Sequence, residues 1–263
     1  MDQIKNLKIN KPTSPGIRHK LKIKKSLLSK TSFFFKKNRS IIKQNSGRSS
    51  SFGKITVRHK GGGVKRRLCK ITKNEGVSIV VAVFYQPLRN TFLCINFIIK
   101  KKIFSFNLLT EYTKVGSLIE SCYNNFLIKN GSYLLLKNIF VGSLISTLSF
   151  KNRPFVYSKS SGSFSQIIQK TNKECKIRLP SGKIISVLLD KNFATLGSIY
   201  DNKHNQVVLG KAGKNRLKGI RPSVRGAAMN PVDHPHGGRT RGGMAAMTPW
   251  GKLTKGVKTS KKI

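Results

Sequence analysis

The chain has 263 residues, 52 of them Lys or Arg and only 8 Asp or Glu, giving a formal net charge of +44 with 38% hydrophobic residues. A folded monomer does not carry that self-repulsion comfortably without a polyanion to neutralise it. The hydrophobic content suffices for one or two small cores, and no apolar run approaches the ~20 residues of a membrane-spanning helix.

Charge divides the chain into a middle and two arms. Residues 1–70 hold 21 basic residues and one acid, residues 71–209 hold 18 and 6, and residues 210–263 hold 13 and one. The segment Met1 to Ser51 alternates basic runs with short apolar pieces and Ser/Pro punctuation. It lacks the uninterrupted apolar stretch of a secretory signal. Its aromatic cluster, SFFFKK (residues 32–37), suits base stacking, docking into a protein groove, or a local anchor. From Ile55 onward, short β-branched or aromatic runs alternate with turn signals: GKITVRHKGGG (53–63), VSIVVAVFY (77–85), TFLCINFII (91–99) and KVGSLIES (114–121). This spacing predicts the strands of a small barrel. A second group, GSYLLLKNIFVGSLISTL, SSGSFSQIIQK and CKIRLPSGKIISVLL, has Gly131, Gly142, Gly162 and the pair Ser181 and Gly182 at its turns. It predicts a second small barrel. After Tyr200 the sequence is rich in Gly and Pro, with no hydrophobic period beyond a turn of helix near Lys211 to Lys218. An arm of this composition takes its order from what it touches.

Cys69, Cys94, Cys122 and Cys175 are far apart and form neither a C-x-x-C pair nor a zinc-ribbon set, so they read as free, buried thiols of a reducing compartment. The stretch AMNPVDHPHGG (228–238) gathers Asp233, His234 and His236. Pro235 between the histidines fixes an extended backbone that sends successive side chains in different directions, and zinc needs further ligands with their own supporting shell. Nor is there a nucleophile elbow to go with a Ser-His-Asp arrangement. A stiff turn stabilised by an Asp233 side-chain hydrogen bond explains the stretch better than a metal or hydrolytic site. RNA binding explains more residues. Gly61, Gly62, Gly63, Gly237, Gly238, Gly242 and Gly243 are expected to leave backbone N–H groups uncovered for phosphates, with Arg58, Arg66, Arg67, Arg239 and Arg241 beside them as bidentate donors. Lysine dominates elsewhere, as suits sequence-independent phosphate neutralisation. Charge alone would equally serve a nucleoid or histone-like DNA binder, but two small barrels with irregular arms suit a folded RNA better than a duplex.

At this point RPSVRGAAMNPVDHPHGG (221–238) resembles the signature of the universal large-subunit ribosomal protein two family. KPTSPGIRH (11–19), GKITVRHKGGG (53–63), NIFVGSLI (138–145), ATLG (194–197), VLGKAGKNR (208–216) and TPWGKLTKGVKTSKK (248–262) follow in the family's order. The resemblance implies a mostly β protein, an OB-fold barrel followed by an SH3-like barrel with long irregular basic extensions. The expected divisions are 1–52 (N-terminal extension), 53–125 (OB-fold), 126–200 (SH3-like barrel) and 201–263 (C-terminal extension). It implies a structural, non-enzymatic role in the large ribosomal subunit near the peptidyl-transferase region, supporting assembly, subunit association and translation. The partners implied are large-subunit rRNA, neighbouring ribosomal proteins and a small-subunit contact at the subunit interface. No cofactor is implied beyond Mg2+ ions that the rRNA itself can hold. Together with the residue chemistry, it places RNA contacts at Lys54, Arg58, His59, Lys65, Arg66, Arg67, Arg89, Lys159, Lys211, Lys214, Arg216, Arg221, Arg225, Asn230, His234, His236, Gly237, Gly238, Arg239, Arg241 and Lys252.

Location is read from three features. The family-like sequence begins at Lys11, which leaves no room for a transit peptide before it. Lys, Asn, Ile, Phe and Ser are favoured, as in an AT-rich gene, and GGRTRGGMAAMTPWG after His236 departs from the Gly-Glu-Gly-Arg element usual in bacterial members. These features point to a mitochondrial ribosome and an organelle-encoded chain, with a plastid or the bacterial cytoplasm as the alternative.

Overall fold

A computed structural model describes residues 7–24, 29, 39–42, 46–72, 75–122, 129–150, 153–200, 204–239 and 244–256. The SFFFKK cluster, Arg241, Gly242 and Gly243 lie outside the described residues. The chain divides into two compact units, one of Met1–Lys43 with Val64–Lys214 and the other of Gln44–Gly63 with Asn215–Ile263.

The first unit is built of strands. Within the segment expected to be irregular, β1 (Leu7–Ile9) pairs antiparallel with β2 (Leu21–Ile23), and β3 (Arg39–Ile42) pairs antiparallel with β4 (Arg66–Cys69), which lies beyond that segment. Next come β5 (Gly76–Gln86), β6 (Thr91–Ile98), β7 (Ile103–Leu108) and β8 (Leu118–Cys122). They lie side by side in the order β8-β5-β6-β7, all antiparallel. The long apolar runs of β5 and β6 are buried on both faces, which is why they read as continuous rather than alternating. One face packs Ala82, Phe84, Leu93 and Ile95 with Phe106 and Leu108; the other packs Val80, Val83, Phe92 and Cys94 with Leu109 and Ile119. Val80 and Ala82 share parity yet face opposite ways, because the β5–β6 register shifts between them and Val81 is the extra residue.

The second group holds β9 (Tyr133–Leu135), β10 (Leu144–Ser146), β11 (Leu148–Phe150), β12 (Arg153–Tyr157), β13 (Ser165–Lys170), β14 (Glu174–Arg178), β15 (Ile184–Leu188) and β16 (Phe193–Leu196). Its own core contains Leu134, Leu136, Ile139, Ile145, Leu148, Ile167, Ile177 and Ala194. In β14 and β15 the sequence alternation is obeyed residue by residue: Cys175, Ile177, Ile185 and Val187 are buried, and Glu174, Lys176, Arg178 and Ser186 are exposed. Gly182, at φ +82°, makes the turn between them, donating its N–H to the Leu179 carbonyl at 2.9 Å. A parallel pairing of β8 with β9 joins the two groups into one ten-stranded ladder. After β16 the chain returns to the first group, where Ile199 enters its core and the Tyr200 ring meets Phe92 edge-on.

Two sequence expectations change at the level of elements. GKITVRHKGGG (53–63) forms turns and isolated bridges instead of a barrel strand, because residues 54–57 bond back to residues 47–49 and residues 59–61 bond to the C-terminal segment. The C-terminal segment, expected to be ordered by a partner, is organised with residues 44–63 as the second unit. The expected turn of helix is present as α1 (Ala212–Leu217). Among the described residues no helix is long and apolar enough to cross a membrane.

Candidate nucleic-acid interface

The second unit is assembled by main chain meeting main chain. The Gly61 N–H donates to the Gly219 carbonyl at 2.8 Å, the Arg221 N–H donates to the His59 carbonyl at 3.0 Å, and Lys60 bridges Ile220 between them. Gly63, at φ +57°, has no room for a side chain, since a Cβ there would lie 2.9 Å from the Gly219 nitrogen and 3.1 Å from the Leu217 carbonyl oxygen. At the other end of this segment Gly47, at φ +72°, accepts the N–H groups of Thr56 and Val57 at 2.9 and 3.0 Å. His59 is held at φ +61°, a left-handed conformation uncommon outside glycine, and its Nδ1 lies 2.9 Å from the Ser223 hydroxyl.

Residues 226–238 form a second knot. A 3-10 turn at Gly226–Ala228 leads into Asn230, whose carbonyl accepts the N–H groups of Asp233 and His234 at 3.0 and 3.3 Å. The Gly237 N–H donates to the His234 carbonyl at 2.8 Å and the Gly238 N–H to the Met229 carbonyl at 3.2 Å. This corrects the expectation that the N–H groups of Gly61, Gly237 and Gly238 face phosphates: they are used within the fold. Glycine is required here for close packing. A Cβ on Gly237 would run into the Asn230 carbonyl, and one on Gly226 would lie 2.5 Å from His234 Nδ1.

Both histidines serve this knot. His234 is buried, and its Nδ1 accepts the His236 backbone N–H at 3.0 Å, which places the proton of the neutral ring on Nε2. Burial, then the charge of neighbouring His236 and that of Arg58, hold the His234 imidazole below its ordinary pKa. His236 Nε2 lies 2.9 Å from the Ala245 carbonyl oxygen and 3.2 Å from the Met247 nitrogen. In one tautomer it donates to the former and in the other it accepts from the latter; either bond ties 236 to the segment beyond. The rings stand 4.6 Å apart. Among the described residues no three His, Cys, Asp or Glu side chains are placed to hold a metal ion, and Asp233 does not join the histidines.

Residues 246–254 close the unit as a tight loop. Thr248 N–H donates to the Lys252 carbonyl at 2.7 Å, Thr254 N–H to Ala246 at 2.8 Å, and Gly251 N–H to Thr248 at 3.0 Å. Trp250, at the tip, is 72% exposed. Two clefts open on this unit. One, of about 270 Å3, is lined by Arg48, Arg58, Lys60, Arg216 and Arg221 with Ile55, Val57, Val224 and Met229. The other, of about 420 Å3, is lined by Thr56, Arg58, His59, Met229, His234, Pro249 and Trp250. Neither lining includes an acid.

Of the sequence-predicted RNA contacts, Lys54, Arg58, His59, Arg216, Arg221, Arg225, Asn230, His234, His236, Gly237, Gly238, Arg239 and Lys252 fall in this second unit. Arg241 lies outside the described residues, and the first unit holds the others. Lys65 and Arg67 are exposed and Arg66 is half-buried, beside and on β4. Arg66 lies near Tyr85, whose hydroxyl pKa burial raises and the arginine charge opposes. Arg89 is half-buried in the β5–β6 turn, where burial lowers its pKa and its Nε has no hydrogen-bond partner. Lys159 is half-buried and Lys211 exposed. Half-buried Lys214 meets Lys20, which is itself buried: the hydrogen bond with Lys214, then burial, then the Lys214 charge push Lys20 below the usual lysine range. Sequence reasoning missed Lys20, one residue beyond the KPTSPGIRH motif, and also Arg48, Lys60 and Trp250. The chain's single tryptophan set among lysines was the available signal for the last.

The chain that carries these two acid-free clefts has known relatives. Residues 37–121 match the family described as Ribosomal Proteins L2, RNA binding N-terminal domain, and residues 129–251 match Ribosomal Proteins L2, C-terminal domain. The Large ribosomal subunit protein uL2 of Wolbachia sp. subsp. Drosophila simulans (strain wRi) is 37% identical over 263 aligned positions, covering 97% of this chain and 94% of the relative. The protein of the same description in Wolbachia pipientis wMel matches to the same extent. The chain belongs to the uL2 family. The first strand group is thus the OB-fold portion of a uL2 chain and the second its SH3-like portion. Nothing in these uL2 matches points to a nucleoid or histone-like protein.

Proposed function

We propose that the protein is a structural constituent of the large ribosomal subunit, binding large-subunit rRNA near the peptidyl-transferase region and supporting assembly and subunit association. It acts as shaped scaffold, and RNA performs the chemistry. The observation that carries this reading, alongside the family, is the second unit: four arginines and Lys60, from segments far apart in sequence, converge on one cleft, Arg58 also lines a second, and neither lining includes an acid. The histidines in the knot beside them are engaged in holding backbone. Neutralisation by phosphate of that surface, and of the basic residues that the first unit holds, accounts for the charge of +44.

The divisions proposed are extensions at 1–52 and 201–263 around the OB-fold at 53–125, of which residues 53–63 are organised with the second unit, and the SH3-like barrel at 126–200. Contacts with neighbouring ribosomal proteins and with the small subunit follow from the same placement. The compartment proposed is the mitochondrial ribosome. Residue bias and the loop after His236 support it, whereas the relatives named above are bacterial, which keeps a bacterial or plastid ribosome as the alternative. Sedimentation tests the function: the protein is expected to stay with large subunits through a high-salt wash, and its release into the free pool would refute the proposal. Its distribution between purified mitochondria and cytosol tests the compartment.

A further inference from the structure

We propose that the cleft beneath Trp250 receives one unpaired RNA nucleotide, its base stacked on the indole and its phosphate held by Arg58. This rests on the rRNA reading above and names the feature of RNA that this surface takes. Trp250 is 72% exposed at the tip of a loop closed by three backbone hydrogen bonds, so the indole is presented on a stiff support. A large apolar face in that position gains most from a flat partner that covers it. The cleft beside it, of about 420 Å3, has Met229 and Pro249 as apolar wall and Arg58 and His59 as polar wall. His59 is fixed there by its left-handed backbone and by Ser223, which makes the polar wall as preorganised as the aromatic one. The size suits a single nucleotide. Bases within a duplex keep their faces stacked on one another, and the major groove of A-form RNA is too deep and narrow for side chains to read, so the ligand that exposes a base face is an unpaired one. An acidic peptide shares the charge but lacks the π-face that the indole is positioned to cover.

Trp250 is the chain's only tryptophan, so its emission reports on this cleft alone. Full-length protein is titrated with single-stranded decaadenylate RNA, with an RNA duplex of equal phosphate count, and with decaglutamate, at a salt concentration that suppresses non-specific binding. Saturable quenching by the single strand and none by the other two is expected. Anisotropy of labelled decaadenylate then compares variants: Trp250→Phe keeps most of the affinity, and Trp250→Ala loses about tenfold, which corresponds to about 1.4 kcal/mol. Arg58→Gln weakens binding of the single strand and leaves residual binding of the duplex unchanged. In large subunits that contain the Trp250→Ala chain, one unpaired rRNA base gains chemical reactivity relative to wild type. Equal quenching by duplex or by decaglutamate, or an unchanged reactivity profile in those subunits, overturns the inference and leaves the ribosomal assignment standing. Absence of the wild-type protein from large subunits overturns both.

Discussion

The strand-built unit and the second unit reach order by different physical means. In β14 and β15 each inward side chain is buried, and the β5–β6 pair is covered on both faces, so removal of apolar surface from water defines the structure. In the second unit only Gly47, Gly219 and His234 are buried among the described residues. Order there comes from backbone hydrogen bonds at glycines that admit no side chain and from imidazoles that cap loose ends. Hydrogen bonds exposed to water contribute only about 0.5–1.5 kcal/mol each, which leaves the second unit much less stable by itself than the first. Its charge makes the difference useful: phosphate that neutralises the arginines also supplies the stability that a core would otherwise give.

The contrast is tested most severely at a core position. Ile177→Ala, which opens a cavity in the second strand group, is expected to destabilise the first unit by about 2–5 kcal/mol in urea unfolding followed by far-ultraviolet dichroism. A loss below about 1 kcal/mol would mean that the core is not what holds those strands. Next in size is Gly237→Ala, expected to destabilise the second unit by about 1–3 kcal/mol because the new methyl group meets the Asn230 carbonyl. Amide exchange separates the units: protection at Gly238 and Arg221 falls while protection in β6 is unchanged. Gly238→Val, strained at φ +108° but with only ordinary contact to Pro231, is expected to do less.

A smaller effect follows from pH. The His234 pKa is lowered in the folded state, so the unfolded chain binds more protons between the lowered value and about 6.5, the ordinary histidine value. Stability of the second unit is therefore full above about pH 6.5 and is lost as pH falls through the folded pKa. Exchange protection at Gly237 and Gly238, corrected for the intrinsic pH dependence of exchange, is expected to decline over that range in wild type and to become flat in His234→Gln. An equal decline in both would assign the dependence elsewhere. The smallest effect belongs to single phosphate contacts. Replacing Arg66 or Lys214 by Gln is expected to lower the slope of log affinity against log salt by about 1, with the strand unit's unfolding unchanged.

The difference between the units also governs what the sequence discloses. Period-two alternation in residues 174–188 and the doubly apolar runs at 77–85 and 91–99 are visible because side-chain pattern and strand structure share a cause. The bulge at Val81 is hidden, since an extra residue in an apolar run leaves the run intact. So is the meeting of residues 59–63 with 219–221, because backbone hydrogen bonds leave no side-chain period to read. The glycines were legible as points of close approach, but what approaches them is protein. The reading of AMNPVDHPHGG as shaped backbone agrees with the structure, but the extended course expected at Pro235, with side chains sent apart, does not: a turn brings the two imidazoles within 4.6 Å and lets the His236 N–H reach His234 Nδ1, and no spacing rule gives that turn. For the first-unit lysines, composition disclosed the charge but not the apposition of Lys20 and Lys214, which exists only once residues 16–20 lie against 210–214.

The pairing of the 44–63 segment with 215–221 also has a consequence in time. Translation delivers the first half early and the second only after the whole strand unit has been made. At about 5–20 residues per second the early half waits roughly ten to thirty seconds for its partner. Throughout that interval its His59 carbonyl and Gly61 N–H have only water to bond with, and the ten-stranded ladder, whose last strand ends at Leu196, is complete before their partners are made. The aromatic and cationic surface around Trp250 is therefore completed last, so a nascent chain offers no finished RNA seat until its synthesis is nearly over.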